Sequence, residues 1–221
     1  MSERKSNSSI SEPGAWRRVI YLYGLLKLYV RRFRQGDDFT WLHSALDDYR
    51  AMLKRHSAKR LESARVLEIG FGARPLRLMA LNALRIDATG IDLDKPIIRG
   101  TPSEVFAIWR KNGAERAIKS FARFWLNDRR ERRKLLEELD DADPSAGMPV
   151  EKMIVRSASD KAFWNSLDAK FDLIVSEDVF EHIPRNDLEI VVEEMSKAIT
   201  PDGLALIRPM IYSGISGGHQ L

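Results

Sequence analysis

The chain has 221 residues, 44% of them hydrophobic and 31% charged, which suits one sizeable core with appendages and not a disordered chain. It contains no cysteine, so disulfides, thiolate metal sites and cysteine nucleophiles are excluded, and its four histidines form no zinc-binding cluster. The net charge of +4 is uneven: residues 1–36 carry +6 and the rest −2, which marks a basic appendage and argues against a nucleic-acid-binding body.

Residues 1–14 are polar and read as a disordered tail. From Ala15 to Arg34 an apolar, aromatic-rich stretch lies between arginine pairs. Lys27 breaks its apolar run, so it is too short to span a bilayer, and no small-residue cleavage site precedes Gln35. It reads either as a helix packed on the main domain or as one lying on an anionic membrane surface, with Trp16, Tyr21, Tyr23, Tyr29 and Phe33 at the interface. A second helix follows from Phe39, its apolar face made by Trp41, Leu42, Ala45, Leu46, Tyr49, Met52 and Leu53. The two helices together define an N-terminal unit, residues 15–60, ahead of a main domain at 61–221.

The period then changes. Arg65–Ile69 is predicted as a strand, Gly70 and Gly72 as a tight turn, and Pro75 as part of the first turn of a helix running to about Arg85 with Leu76, Leu78, Met79 and Leu84 inward. A second strand, IDATGIDL, reaches its acid at Asp92. Strand, glycine turn, helix, strand, acid is the opening unit of a nucleotide-binding α/β domain, which places its ligand at the carboxyl ends of the strands. Asp92, about twenty residues beyond the turn, offers lone pairs and no donor, which suits two ribose hydroxyls. The dinucleotide fingerprint fails, because Pro75 stands where its third glycine belongs. Glu68, at the end of the first strand, would repel a pyrophosphate and attract a cation.

Asp94 and Lys152 bracket more than fifty residues. Their pattern predicts a helical insertion over 95–150, with Trp109, Phe121, Phe124 and Trp125 on an apolar side and a solvated charged face from Arg129 to Asp143. Its place near the ligand end of the sheet suits a lid that selects substrate. KMIVRSASD (152–160) is then the third strand, FDLIVSEDVFEHI (171–183) the fourth with its loop, and LEIVVEEMSKAITPDGLALIRP a helix, a turn and the fifth strand.

Glu68-Ile69-Gly70-Phe71-Gly72-Ala73-Arg74 resembles the first motif, (D/E)xGxGxG, of the class I S-adenosylmethionine-dependent methyltransferases, in particular the type 11-like methyltransferase domain, with Arg74 in place of the third glycine. The fourth strand and its Glu-His loop resemble the family's FDxVxxxxxxEH pattern, and Pro201-Asp202-Gly203 stands for its PGG turn. The resemblance implies an α/β fold: a Rossmann-like, doubly wound, mostly parallel sheet with S-adenosylmethionine as cofactor. It places Glu68, Gly70, Phe71, Gly72, Asp92, Leu93, Asp160 and Glu177 at the cofactor, with Ser157 as the alternative to Asp160. Arg74 would narrow the methionine end of the pocket or reach the cofactor carboxylate.

Glu181 and His182 would lie beside the transferred methyl, with His182 as base if the acceptor arrives protonated. The N/D-P-P-Y/F motif of nucleic-acid amino methylation is replaced by Ser-Glu-Asp-Val-Phe, C5 transfer lacks its cysteine, and only Glu177 represents a paired-glutamate loop. The expected acceptor is therefore a small molecule, lipid or glycan, and the expected protein a cytoplasmic enzyme with peripheral membrane contact through residues 15–34. A non-catalytic, membrane-associated domain of the same fold is the alternative, and an NAD-dependent oxidoreductase a weaker one. Only twelve residues follow GLALIRP, so the last two of the family's seven strands are expected to be missing. That leaves Leu204–Ile207 as an apolar edge covered by a partner or by the N-terminal helices, or else the chain is a fragment of a longer protein.

Overall fold

The computed structural model describes residues 38–139 and 142–210, with Ile20, Tyr23 and Gly24. The chain divides into two compact units, Met1–Asp38 and Phe39–Leu221. The expectations for residues 1–14 and, those three positions apart, for 15–34 lie outside the described residues. No helix among the described residues is long and apolar enough to cross a membrane.

The second unit starts earlier than the sequence suggests. Helix α1 (Thr40–His56) buries Leu42, Leu46, Tyr49 and Leu53 in the same cluster as the sheet residues Val66, Leu173 and Val175, so it is part of the main core and not of an appendage. Trp41, expected on that face, is exposed.

The sheet has five strands in the order β3-β2-β1-β4-β5, all parallel: β1 Arg65–Ile69, β2 Asp87–Asp92, β3 Met153–Val155, β4 Phe171–Glu177 and β5 Ile199–Arg208. Strands covered on both faces need near-continuous apolar runs, which β1 and β4 supply. On one face α1 and α2 (Leu76–Ala83) pack over Val66, Ala88, Leu173 and Val175. On the other, α6 (Lys161–Asn165) and α7 (Arg185–Ala198) bring Phe163, Trp164, Val191 and Met195 against Leu67, Ile91 and Ile174. This is the doubly wound arrangement, and the crossover direction reverses between β1 and β4.

Between β2 and β3 lie α3 (Pro102–Asn112), α4 (Ala114–Arg123), a π-helical turn (Phe124–Asp128) and α5 (Arg129–Glu138). Helix α3 starts with a reciprocal cap: Thr101 Oγ1 accepts from the Glu104 amide and Glu104 Oε2 from the Thr101 amide. The charged run 129–143 is only partly the solvated face expected of it. Glu131 and Arg132 are buried, as is Asp128 just before them, because each faces an opposite charge or a backbone carbonyl.

β5 starts at Ile199 and runs through Pro201-Asp202-Gly203 with a break in register between Phe171 and Leu173 of β4, where the sequence suggested a turn before the strand. Among the described residues β5 is an edge strand. Its end is tied to α1 by Arg208–Asp48 at 3.0 Å.

Candidate active site

The glycine turn is built as its sequence requires. Gly70 and Gly72 adopt φ of +88° and +66°, a region costly to residues with a β-carbon. At Gly70 such a carbon would also overlap the Val179 side chain. The Gly70 amide donates to Ile91 O at 2.8 Å, and the Gly72 amide to Asp92 Oδ2 at 2.8 Å, so the turn is fastened to the end of β2. The Asp94 amide donates to the other oxygen of Asp92. Each carboxylate oxygen therefore keeps a lone pair free of these backbone bonds. Burial raises the Asp92 pKa above its ordinary value, and the bonds from Asp94 and Gly72 offset this only in part.

Beyond the turn a cleft of about 150 Å³ opens at the carboxyl ends of β1 and β2, beside the loops after β3 and β4. Its walls include Gly70, Asp92, Leu93, Ser157, Val179 and His182, with Asp187 from α7. Among the described residues no lysine or arginine lines it.

The expected site residues divide into three groups. Gly70, Asp92, Leu93 and His182 line the cleft, and Gly72 holds Asp92. Phe71 does not line it: its ring is buried against Gly90, where a β-carbon would come within 2.6 Å of Phe71 Cδ1. Asp160 does not line it either. β3 ends at Val155, a loop intervenes, and Asp160 becomes the N-cap of α6, accepting from the Ala162 amide at 2.9 Å. Ser157, the alternative, lines the cleft.

The third group faces a charged network on the far side of β1. Glu68 is buried, and Arg77 Nη1 donates to its Oε1 at 2.9 Å while Oε2 has no hydrogen-bond partner. Arg77 Nη2 also donates to Glu177 Oε2 at 2.7 Å, and Glu177 Oε1 accepts from the Tyr49 hydroxyl at 3.0 Å. Burial pushes the Glu68 carboxyl up against the pull of Arg77, and it pushes the Tyr49 phenol up as well. Glu68 is thus neutralised inside the protein instead of facing a ligand at the mouth.

Sequence reasoning names Tyr49 only as part of an apolar face and misses Arg77, although a single charged residue in a helix as apolar as LRLMALNA is the mark of a buried pair. Arg74 also turns away from the cleft. Its guanidinium pairs with Glu131 of α5, with Nε donating at 3.0 Å, because the insertion brings that carboxylate to the turn. Arg123 adds a second link, donating to Ala73 O at 3.4 Å and to Asp128 at 3.2 Å.

After β4, a 3-10 turn (Phe180–His182) carries the expected catalytic pair. His182 lines the cleft with a half-exposed side chain. Glu181 points elsewhere: its Oε1 accepts from the Met210 amide at 3.1 Å, its Oε2 is buried without a hydrogen-bond partner, and it lies 4.0 Å from His182 Nε2. Among the described residues no group of His, Asp and Glu could hold a metal ion.

Residues 41–210 match the family model of a methyltransferase domain. No curated protein matches the chain. Among solved structures it is similar to PKMT2 of Rickettsia typhi in complex with AdoHcy, at 19% identity and a TM-score of 0.36, over 71% of this chain and 23% of that one. It is also similar to the sugar N-methyltransferase KedS8 of Streptoalloteichus sp., at 16% identity and a TM-score of 0.42, over 99% of this chain and 64% of that one. The magnesium protoporphyrin IX methyltransferase ChlM of Synechocystis, solved with bound SAM, is similar at 14% identity and a TM-score of 0.39, over 77% of this chain and 64% of that one. The chain thus spans less than two thirds of the length of each.

Proposed function

Because this chain belongs to the methyltransferase-domain family, whose enzymes use S-adenosylmethionine, we propose that it transfers the methyl group of that cofactor to a small molecule, lipid or glycan. The observation that carries this reading is the cleft at the sheet's switch point, which has Asp92 and Asp187 on its walls and, among the described residues, neither lysine nor arginine. A pyrophosphate would find no cation there, whereas a ligand with a sulfonium, an ammonium and two ribose hydroxyls meets acids and apolar walls. The residues present fit that ligand. Asp92 has acceptor capacity to spare, and hydroxyl donors would relieve the cost of its burial.

The cofactor supplies a methyl already activated by its sulfonium. The chain's own work is then position and exclusion of water. Gly70 and Gly72 allow close approach of the backbone, and Asp92, Ser157 and Leu93, which line the same cleft, would hold the nucleoside part of the cofactor, Asp92 as acceptor for its ribose hydroxyls. His182, on the rim of the cleft, takes the proton from a hydroxyl or amine acceptor. Glu181, tied to the Met210 amide, keeps the 3-10 turn in place and so orients His182. The non-catalytic alternative is favoured by the basic N-terminal segment and by Arg74; the pairing of Arg74 with Glu131 weakens the second of these.

Calorimetric titration tests the reading. Asp92→Ala should weaken S-adenosylmethionine binding by about 2–3 kcal/mol, the loss of a charge-assisted acceptor pair. NAD should not bind the unaltered chain. Binding unchanged in Asp92→Ala would remove the ribose assignment.

A further inference from the structure

Helices α3 and α4 form a hairpin about Gly113 with a groove of about 510 Å³ between them, lined almost wholly by apolar side chains. Phe106, Trp109, Ile118, Phe121, Trp125 and Leu126 stand on this hairpin and the adjoining π-turn, from 40% exposed at Phe121 to 68% at Ile118. Soluble surfaces usually scatter such residues singly, and a cluster this dense marks a contact surface. Its charge is also distinctive. Residues 102–138 carry a net +4, while the chain outside them and outside 1–36 carries −6. The cations lie among the aromatics: Arg110 is exposed, exposed Lys119 pairs with Glu115 at 2.6 Å, and the Arg129 guanidinium sits 4.3 Å from the centre of the Trp125 ring.

We propose that the α3–α4 hairpin is a docking surface for an anionic lipid bilayer. Charge complementarity selects this occupant. The N-terminal segment 1–36 is net +6, and a second copy of the hairpin (102–123) repeats its own +3, so either would meet like charge. Anionic headgroups accept the cations, while Trp109, Phe121 and Trp125 enter the boundary between headgroups and acyl chains, where amphipathic rings are favoured. The hairpin is also fixed to the site. Lys111 Nζ donates to Leu93 O at 2.7 Å, and Arg116 pairs with Asp94 at 2.6 Å, both beside Asp92. Docking therefore holds the mouth of the cleft at the membrane surface. The inference does not depend on which acceptor is methylated.

The test is co-sedimentation of the full chain with phosphatidylcholine vesicles, with and without phosphatidylglycerol. The unaltered protein should bind only the anionic vesicles and be released in about 1 M salt, where charges are screened within about 3 Å. Trp109→Glu combined with Phe121→Glu should lower partitioning at least about tenfold, with S-adenosylmethionine affinity unchanged. Quenching of tryptophan fluorescence by bromine-labelled lipid gives a readout independent of those variants: it should be strong in the unaltered protein and reduced in Trp109→Phe. Absence of binding, equal binding to neutral vesicles, or full binding by the double variant (which would transfer the contact to residues 15–34) each overturns the proposal. So does a dimer in solution that the double variant abolishes.

Discussion

The carboxyl ends of β1 and β2 adjoin the insertion that follows them, yet the two regions distribute polarity in opposite ways. At the sheet, aliphatic residues fill the interior apart from the Glu68–Arg77–Glu177–Tyr49 network, and the other polar groups at the strand ends have named tasks: Asp92 fastens the glycine turn and Ser176 donates to Ile69 O at 2.9 Å. In the insertion Asp128, Glu131 and Arg132 are buried, at 2%, 4% and 5% exposure, while six large apolar residues face outward. Burial pulls the Arg132 guanidinium down to about 10, a sign of how little water reaches it. A buried ion pair is weak evidence of stability, because its desolvation offsets much of the attraction. What this set accomplishes is placement: Arg74 of the turn pairs with Glu131 and Arg123 of the insertion donates to Ala73 O, and these two links seat the insertion on the glycine turn. The hydrophobic effect assembles the sheet, whereas paired charges register the insertion against it.

The largest effect expected from breaking that contrast lies at Arg77, a deeply set cation on the sheet side. Arg77→Met should destabilise the fold by about 3–5 kcal/mol in urea unfolding, because Glu68 and Glu177 lose their shared partner and Glu68 cannot reach water. Adding Glu68→Gln should recover much of the loss. A near-neutral Arg77→Met would mean that Glu68 is already protonated in the native state.

Gly70 offers a smaller and purely steric test. Gly70→Ala places a β-carbon at φ +88° and into Val179, an overpacking cost of about 1–3 kcal/mol. In the Val179→Ala background most of the steric part should vanish and only the backbone strain remain. Equal costs in both backgrounds would show that Val179 has moved aside already.

These two positions also show what could be read in advance. The strands β1, β2 and β4 are legible because parallel strands covered on both faces need continuous apolar runs, and the place of Asp92 at the end of β2 because its distance from the turn is set by one helix and one strand. Asp160 lies beyond the strand expected to end there, because β3 has only three residues, too few for a pattern to fix where it ends. The insertion was legible as helices but not as to which side faces inward. Periodicity reports that an apolar stripe exists and says nothing of what covers it, and a run of charges does not reveal which of them are paired. Arg74 could not have been assigned from its motif, since its partner Glu131 lies 57 positions away.

Asp92 gives a graded test of the polar end. Its pKa stands above the ordinary value when free, chiefly through burial, and hydroxyl donors favour the ionised form, so ligand binding should lower it. Affinity for S-adenosylmethionine should then fall by up to about tenfold per pH unit as pH drops from the raised free-state pKa toward the lower bound-state one. In Asp92→Asn that pH dependence should disappear. An unaltered profile in the asparagine variant would assign the titration to Asp187 or another group of the cleft.

The smallest expected effect belongs to the insertion's outer face. Trp109 makes an edge-on contact with Phe106, with ring centres 5.5 Å apart at 77°, yet it is 53% exposed. Such a contact is worth about 0.5–1.5 kcal/mol between well-packed rings, and truncating a large exposed apolar group removes little surface that folding had taken from water. Trp109→Ala should therefore change unfolding free energy by no more than about 0.5 kcal/mol, the ordinary range for a surface position. A residue that contributes so little to the fold while leaving so much apolar area in water is most simply accounted for by what it meets outside the chain. If Trp109→Ala instead cost several kcal/mol, the ring would be part of the insertion's own core, and the contrast between the two regions would lose its outer half.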